Sequence, residues 1–335
     1  MKLGNFFKAK KLAAVAAAVA LTIGAMGCGG SDQAAAPTDS KQVGIVQLVE
    51  HQALDATNEG FVKALADRGY TEGKNISYDR QNAQADQSNL QTITQRFISN
   101  KVDLIYAIAT PAAQTVANST QTIPIVGSAI TDYEGARLVQ SNDKPGGNVT
   151  GASDLNPIKE QVDLLLALVP NAKTVGVIYT SSEVNSEIQV KIMQEYAESK
   201  GLAVKVATIS TVNDIQQAAN SLVGDVDAFY IPTDNVIASA MANLVSITSP
   251  HKLPIICGEE NMVKAGGTAT YGINYFKLGE QAGNMAADIL DGKSKPADMP
   301  IQFAKDLTTI INKKAVDELG ITVSNDILSK ATIIE

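Results

Sequence analysis

From Val43 to Ile273, short apolar runs alternate with longer amphipathic stretches. This is the pattern of parallel strands alternating with covering helices, so the fold class is α/β. The runs predict strands over residues 43–48, 76–81, 102–109, 123–129 and 149–153, then over 174–180, 203–209, 228–232, 254–258 and 268–273. Helices are expected in most of the intervals. Within residues 53–68, Leu54, Phe61 and Leu65 fall near one face, and Gly69 follows as a C-terminal stop.

The two series echo each other. Val43-Gly44-Ile45 opens the first and Val175-Gly176-Val177 the second, and each glycine is followed 25 residues later by another, Gly69 and Gly201. Asp103, Tyr106 and Thr110 are matched by Asp227, Tyr230 and Thr233, and Ile123-Pro124-Ile125 by Leu253-Pro254-Ile255. Three echoes in one order predict two lobes of similar topology. Open parallel sheets bind ligands beyond the carboxyl ends of their strands, and domain interfaces are favoured ligand sites. A cleft lined by both sets of strand ends is the expected site.

In the first lobe those ends bring Gln47, His51, Asn82, Thr110, Ser128 and Thr131. Thr110 precedes Pro111, so its hydroxyl either caps a helix or, with the free amides there, receives a carboxylate. In the second lobe they bring Ser181, Asn185, Asp234 and Asn235, with Gly258-Glu259-Glu260 after the fourth strand. Asp154 lies where the chain first crosses between lobes. Asp154 and Asp234 are each read either as an acceptor for a ligand ammonium or as a local cap. Such a set suits a zwitterion. The arginines are Arg68, Arg80, Arg96 and Arg137; Arg80 alone falls on a predicted strand end, which argues against an arginine clamp on a phosphate or dicarboxylate.

The amino-terminal end bears on compartment. Lys2, Lys8, Lys10 and Lys11 precede an apolar run over residues 12–23, too short to span a bilayer, and then Gly27-Cys28. Residues 1–27 are expected to be a signal peptide. Cys28 resembles a lipobox cysteine, although Ala25 stands where leucine is usual. The resemblance implies lipidation of Cys28, anchoring the chain to the cell membrane on its outer side. Residues 28–41 read as the lipidated cysteine and a polar tether. Loss of the four leader lysines would take the net charge from −8 to −12; this acidity argues against nucleic acid. Cys257, in an apolar run, reads as a buried structural thiol.

The segments Val43-Gly44-Ile45-Val46-Gln47, His51-Gln-Ala-Leu-Asp55, Glu72-Gly-Lys-Asn75, Asn82-Ala-Gln84, Ala109-Thr-Pro111, Pro124-Ile125, Gly147-Asn-Val-Thr-Gly151 with Ser153-Asp154, and Asp234-Asn235 occur in that order. Together they resemble the ABC-transporter substrate-binding family that includes tryptophan- and aromatic-amino-acid-binding lipoproteins, over residues 43–334. The resemblance implies a type I periplasmic-binding-protein fold: two doubly wound parallel-sheet lobes with a hinge of three crossovers. It implies lobes of residues 42–154 plus 271–300 and 155–270 plus 301–335. It implies ligand contacts at Gln47, Asn82, Thr110, Ser128, Asp154, Asn185 and Asp234. Gly127 departs from the aromatic common before Ser128, and is expected to enlarge or reshape the pocket. The implied protein is a monomer without cofactor or metal that binds a small solute, an aromatic amino acid such as tryptophan or phenylalanine, for a permease and ATPase.

Other readings compete. A two-lobed racemase would set two thiols across the cleft, which Cys28 and Cys257 do not; no nucleophile elbow, phosphate loop or metal cluster occurs for a hydrolase or NTPase. His51, near the cleft, either polarises a ligand or is a solvated loop residue; His251 sits in a polar turn. A sugar is the main alternative ligand, but the chain has no tryptophan to form a platform. A purine or peptide-like ligand, and a role on a sensory receptor, stay open.

Overall fold

Residues 40–335 are described by a computed structural model. The expected signal peptide, the Cys28 anchor and nearly all of the tether lie outside them. Lys41, assigned by composition to the tether, instead opens the first strand, where it pairs with Ile76.

Two sheets organise the chain. The strands are β1 (Lys41–Gln47), β2 (Ile76–Asn82), β3 (Leu104–Ile108), β4 (Ile125–Ile130), β5 (Val149–Ser153), β6 (Thr174–Thr180), β7 (Ala203–Ile209), β8 (Ala228–Ile231), β9 (Ile255–Cys257), β10 (Ala269–Ile273), β11 (Gln302–Phe303), β12 (Leu307–Asn312) and β13 (Ala331–Ile334). The first sheet runs β11-β5-β4-β3-β1-β2 and the second β13-β12-β10-β9-β8-β6-β7. In both, the opening strand lies between its second and third, so β4-β3-β1-β2 and β9-β8-β6-β7 are the same arrangement met twice. This is the two-lobed parallel α/β fold that the alternating pattern predicts.

The sequence echoes have physical counterparts. Asp103 accepts from Gln42 N, and Asp227 accepts from Lys173 N and Thr174 N, so each carboxylate ties the start of a third strand to the start of a first. Gly69 and Gly201 both end a helix with positive φ, +93° and +86°, where a side chain would be strained. Tyr106 and Tyr230 are both fully buried.

The chain crosses between sheets three times: at residues 154–157, at 274, and at 304–306. Two segments fall differently from the expected division. Residues 271–273 complete β10 in the second sheet, and Gln302–Phe303 pair with Ala152–Ser153 in the first. A strand keeps its backbone partners to its last paired residue, and the chain crosses after it. Strands β11, β12 and β13 were not anticipated. β11 is too short to show a period, β12 runs antiparallel at the sheet's margin with only its last half buried, and β13 is a half-exposed edge.

Helix Tyr275–Leu290 returns from the second sheet to the first lobe and packs on helix Gln52–Asp67. The approach is so close that a Cβ on Gly279 would lie 2.0 Å from Thr57 O, and one on Gly60 2.0 Å from Phe276 O. Beneath them Phe61 stacks on Tyr106, ring centres 3.7 Å apart.

Candidate functional site

Between the carboxyl ends of the two sheets lies a small cavity of about 10 Å³. The first lobe and the crossings give it Ala53, Leu54, Ala129, Asp154 and Tyr275; the second gives it Thr233, Asn235, Ala238, Glu259 and Met262, with His51 and Asp234 at its border. In this arrangement it has room for no more than about one water molecule, far below the roughly 300 Å³ of a small-molecule pocket, so admitting a ligand requires the lobes to move apart. One wall is apolar. Three carboxyl groups, Asp154 from the first side and Asp234 and Glu259 from the second, complete the lining, and no lysine or arginine is among the lining residues.

Asp154 follows β5 at the first crossing and is 3% exposed. Its Oδ2 accepts from Tyr275 OH at 2.7 Å, while its Oδ1 is buried with no partner. Burial raises its pKa to about 6, outweighing the Tyr275 and Thr131 hydroxyls, which lower it. Tyr275 follows the second crossing, so this bond ties two strands of the hinge together beside the cavity.

Asp234 has a different life. Its Oδ2 accepts from Thr180 N at 2.6 Å and Ser186 Oγ at 2.8 Å, and its Oδ1 from Thr180 Oγ1 at 2.8 Å and Ile237 N at 3.0 Å. Both oxygens are saturated by the second lobe. Neighbouring Glu183 accepts from Asn185 Nδ2, Asn235 Nδ2 and the amides of Asn235 and Val236. Burial first, and then Asp234, push the Glu183 pKa upward; four inward donors oppose that push. Glu259 accepts from Asn261 N and Met262 N, capping helix Glu260–Lys264, and burial raises its pKa to about 7.

Two side-chain contacts bridge the lobes across the cleft, and Lys277 Nζ meets Asp306 Oδ2 at 2.7 Å beside the third crossing. Asn235 spends its Nδ2 on Glu183, leaving Oδ1 as acceptor, so the His51 Nε2 lying 3.2 Å away carries the hydrogen. Burial lowers the His51 pKa to about 4, which keeps the ring neutral. Gln189 Nε2 of the second lobe donates to Thr131 Oγ1 of the first at 3.2 Å.

The cavity gathers Asp154, Asp234 and Asn235 from the predicted set, and Thr131 sits at the bridge. Other expected contacts are engaged elsewhere. Gln47 Nε2 is held by Asp55 Oδ1 and Val49 O. Asn82 is exposed and accepts from Gln84 N in a local turn. Ser128 Oγ is bonded to Tyr106 OH in the first lobe's core. Ser181 is exposed and donates to Ile209 O. Asn185 is buried, with Nδ2 on Glu183 and Thr233 O. Thr110 opens helix Thr110–Ser119 after Ala109, whose φ is +84°; its Oγ1 is buried and unpartnered, but it is not among the cavity's lining residues. Gly127 does not widen the pocket: a Cβ there would strike Ile130 Cδ1 and Tyr133 OH, so its bareness makes room for the core. His51 is no solvated loop residue, whereas His251 is exposed. Cys257 is a buried free thiol.

Nothing in the sequence marks Tyr275, because a helix-start tyrosine carries no motif. Glu259 stood in view at a strand end, yet its burial depends on the other lobe.

Residues 42–334 match the family described as ABC transporter substrate binding protein. The chain belongs to the ABC transporter substrate-binding family. It is 44% identical over 330 residues to a tyrosine-binding protein of Clostridioides difficile, covering 95% of each. Its fold superposes with a TM-score of 0.86 on the ABC domain in complex with L-Trp from Streptococcus pneumoniae, 40% identical, covering 88% of this chain and 100% of that one. Against a ligand-free, open substrate-binding protein with adhesive properties from Clostridium difficile, 43% identical, covering 88% and 99%, the TM-score falls to 0.68. At nearly equal identity, that drop and the two interlobe bonds mark the present arrangement as closed. As a family member, the protein binds a small solute outside the cytoplasm for an ABC transporter. No helix among the described residues is long and apolar enough to cross a membrane.

Proposed function

We propose that the protein captures an aromatic amino acid in the interlobe cavity and presents it, lobes closed, to the permease and ATPase of an importer. The observation that carries this reading is the unpartnered Oδ1 of buried Asp154 at a cavity with an apolar wall. A buried charge without a partner is costly, and a ligand ammonium relieves the cost. The tyrosine-binding relative and the L-Trp complex support the same solute class.

The ring would lie against Ala53, Leu54, Ala129, Ala238 and Met262. Burying 150–250 Å² of aromatic surface contributes about 4–6 kcal/mol. The ammonium on Asp154 would add about 1.5–3 kcal/mol. The carboxylate would face the start of helix Gln52–Asp67, whose N-cap His51 makes no side-chain cap; such a dipole is worth about 0.3–1 kcal/mol. A micromolar complex needs about −8 kcal/mol; these terms come to about 6–10 kcal/mol before the cost of immobilising the ligand, so further contacts made on closure must contribute. Contact with both lobes favours the closed form. His51, Asn235, Thr131 and Gln189 would lock it, while Asp234, Asn185 and Glu183 shape the second lobe's wall. Gln47, Ser128 and Thr110 would support the first. We assign the lobes as residues 42–154 plus 274–303 and 155–273 plus 304–335, with a signal peptide over 1–27 and a lipid on Cys28 as anchor.

The protein has no tryptophan, so indole emission reports ligand alone. Titrating mature protein with L-tryptophan, beside a thermal-shift screen of L-tyrosine and L-phenylalanine, should give saturable binding. A shift with a sugar and none with these three overturns the reading. Mass spectrometry of membrane-extracted protein tests acylation at Cys28.

A further inference from the structure

The cavity's charges are lopsided. Its lining holds the carboxyl groups of Asp154, Asp234 and Glu259 and a neutral His51, with no lysine or arginine opposite them. The helix starts on the second-lobe side are already taken by the protein's own acids: Asp234 accepts from Ile237 N, and Glu259 from Asn261 N and Met262 N. The backbone donors at these helix starts are thus spent before a ligand arrives, leaving the Thr233 hydroxyl as the neutral donor of that wall. What remains open is the charged acceptor Asp154 Oδ1, on a residue only 3% exposed, with the Thr131 hydroxyl as its polar neighbour. An entering group meets a demand for positive charge and little to neutralise a negative one.

We propose that the ammonium is the indispensable half of the ligand, and that the site also accepts aromatic monoamines, which lack the carboxylate. The proposal rests on the interlobe cavity being the aromatic amino-acid site. The chemistry is the charge-assisted bond of a primary ammonium to a carboxylate in a poorly hydrated space, with the ring on the apolar wall. Removing the ligand's carboxylate removes a group held by dipoles alone. Removing its ammonium leaves Asp154 buried and unpaired, and leaves the ligand's carboxylate uncompensated in an acidic cavity.

Three indoles share one fluorophore and separate the halves. L-tryptophan, tryptamine and indolepropionate are titrated into full-length mature protein at pH 7.5, and into the Asp154→Asn variant after its fold is checked by circular dichroism. Tryptamine should bind within about tenfold of L-tryptophan, and indolepropionate at least about a hundredfold more weakly than tryptamine. Asp154→Asn should weaken both amines and leave indolepropionate unchanged or improved. Indolepropionate binding as well as tryptamine, or tryptamine failing where L-tryptophan binds, overturns the proposal while the amino-acid reading stands. Should L-tryptophan, L-tyrosine and L-phenylalanine all fail, the amino-acid reading falls; tryptamine binding that depends on Asp154 would then still uphold the amine, and its absence would sink both. If the variant does not fold, tryptophanamide, which keeps the ammonium and loses the negative charge, decides: binding like tryptophan supports the proposal, and loss beyond a hundredfold overturns it.

Discussion

His51 Nε2 of the first lobe meets Asn235 Oδ1 of the second at 3.2 Å, and Asn235 in turn is oriented by Glu183. The bond exists only while the lobes are closed, so it acts on how long the clamp stays shut. His51→Ala should speed ligand release roughly fivefold, the equivalent of about 1 kcal/mol for one hydrogen bond, and change the association rate little. Stopped-flow indole fluorescence measures both rates. A slower association with unchanged release would mean His51 serves entry and not closure.

The same residue gives binding a pH dependence. Burial lowers the His51 pKa from 6.5 to about 4 in the closed form, so closing releases its proton. The closed form keeps its full advantage above pH 6.5 and loses it as the pH falls toward 4. Asp154 is shifted the other way, from 3.8 to about 6, and must be ionised to hold an ammonium. Below pH 6 the ligand must displace that proton. Asp55 and Asn235 also act on His51 and raise its pKa, less than burial lowers it; Glu259, near 7, is already mostly protonated through this window. Affinity should therefore fall between pH 6.5 and 4.5, by up to about tenfold per unit for each proton taken up. His51→Gln should remove one part and Asp154→Asn the other; an affinity flat across this range in wild-type protein contradicts both assignments.

Asp154 and Asp234 look alike in sequence, each an acid after a strand, but their partners differ. Asp154 costs the fold something at neutral pH: its raised pKa means a contribution present below about 3.8 and lost as pH rises through about 6. Asp154→Asn should thus raise the melting temperature by a few degrees while weakening amino-acid binding about tenfold to a hundredfold. Asp234→Asn places an amide against four donors and should destabilise by roughly 1–3 kcal/mol for each donor left unsatisfied. Calorimetry of the two variants, with and without L-tryptophan, checks the opposite signs. Equal melting of both would refute the distinction.

Much of the architecture was legible because burial imposes periodicity. Strands β3 and β8 are buried along their whole length and stand out as unbroken apolar runs. The edge strand β13 and its neighbour β12 carry no such pattern. For the site, strand-end logic found the region but not the roles. Ser128 and Asp154 both follow the rule, yet Tyr106 turns the first into core and Tyr275 leaves the second with a free oxygen. Such partners lie 22 and 121 residues away, and no local spacing announces them.

The hinge depends on a contact that no side chain makes. Gly279 lies against Thr57 O and Gly283 against Phe61 O, so helix Tyr275–Leu290 sits almost backbone to backbone on helix Gln52–Asp67. That contact fixes where Tyr275 stands, and Tyr275 OH fixes Asp154 Oδ2. In Gly279→Ala a Cβ would begin 2.0 Å from Thr57 O, against backbone that cannot rotate aside. The helix must shift outward, at a cost of about 1–3 kcal/mol for overpacking. The shift also lengthens the Tyr275–Asp154 bond, so the variant should lose ligand affinity along with stability. Tyr275→Phe separates the two effects: it removes the hydroxyl without moving the helix, and should alter affinity and its pH midpoint with little change in melting. Full affinity in Gly279→Ala despite a lowered melting temperature would show that the helix contact supports the lobe and does not position the site.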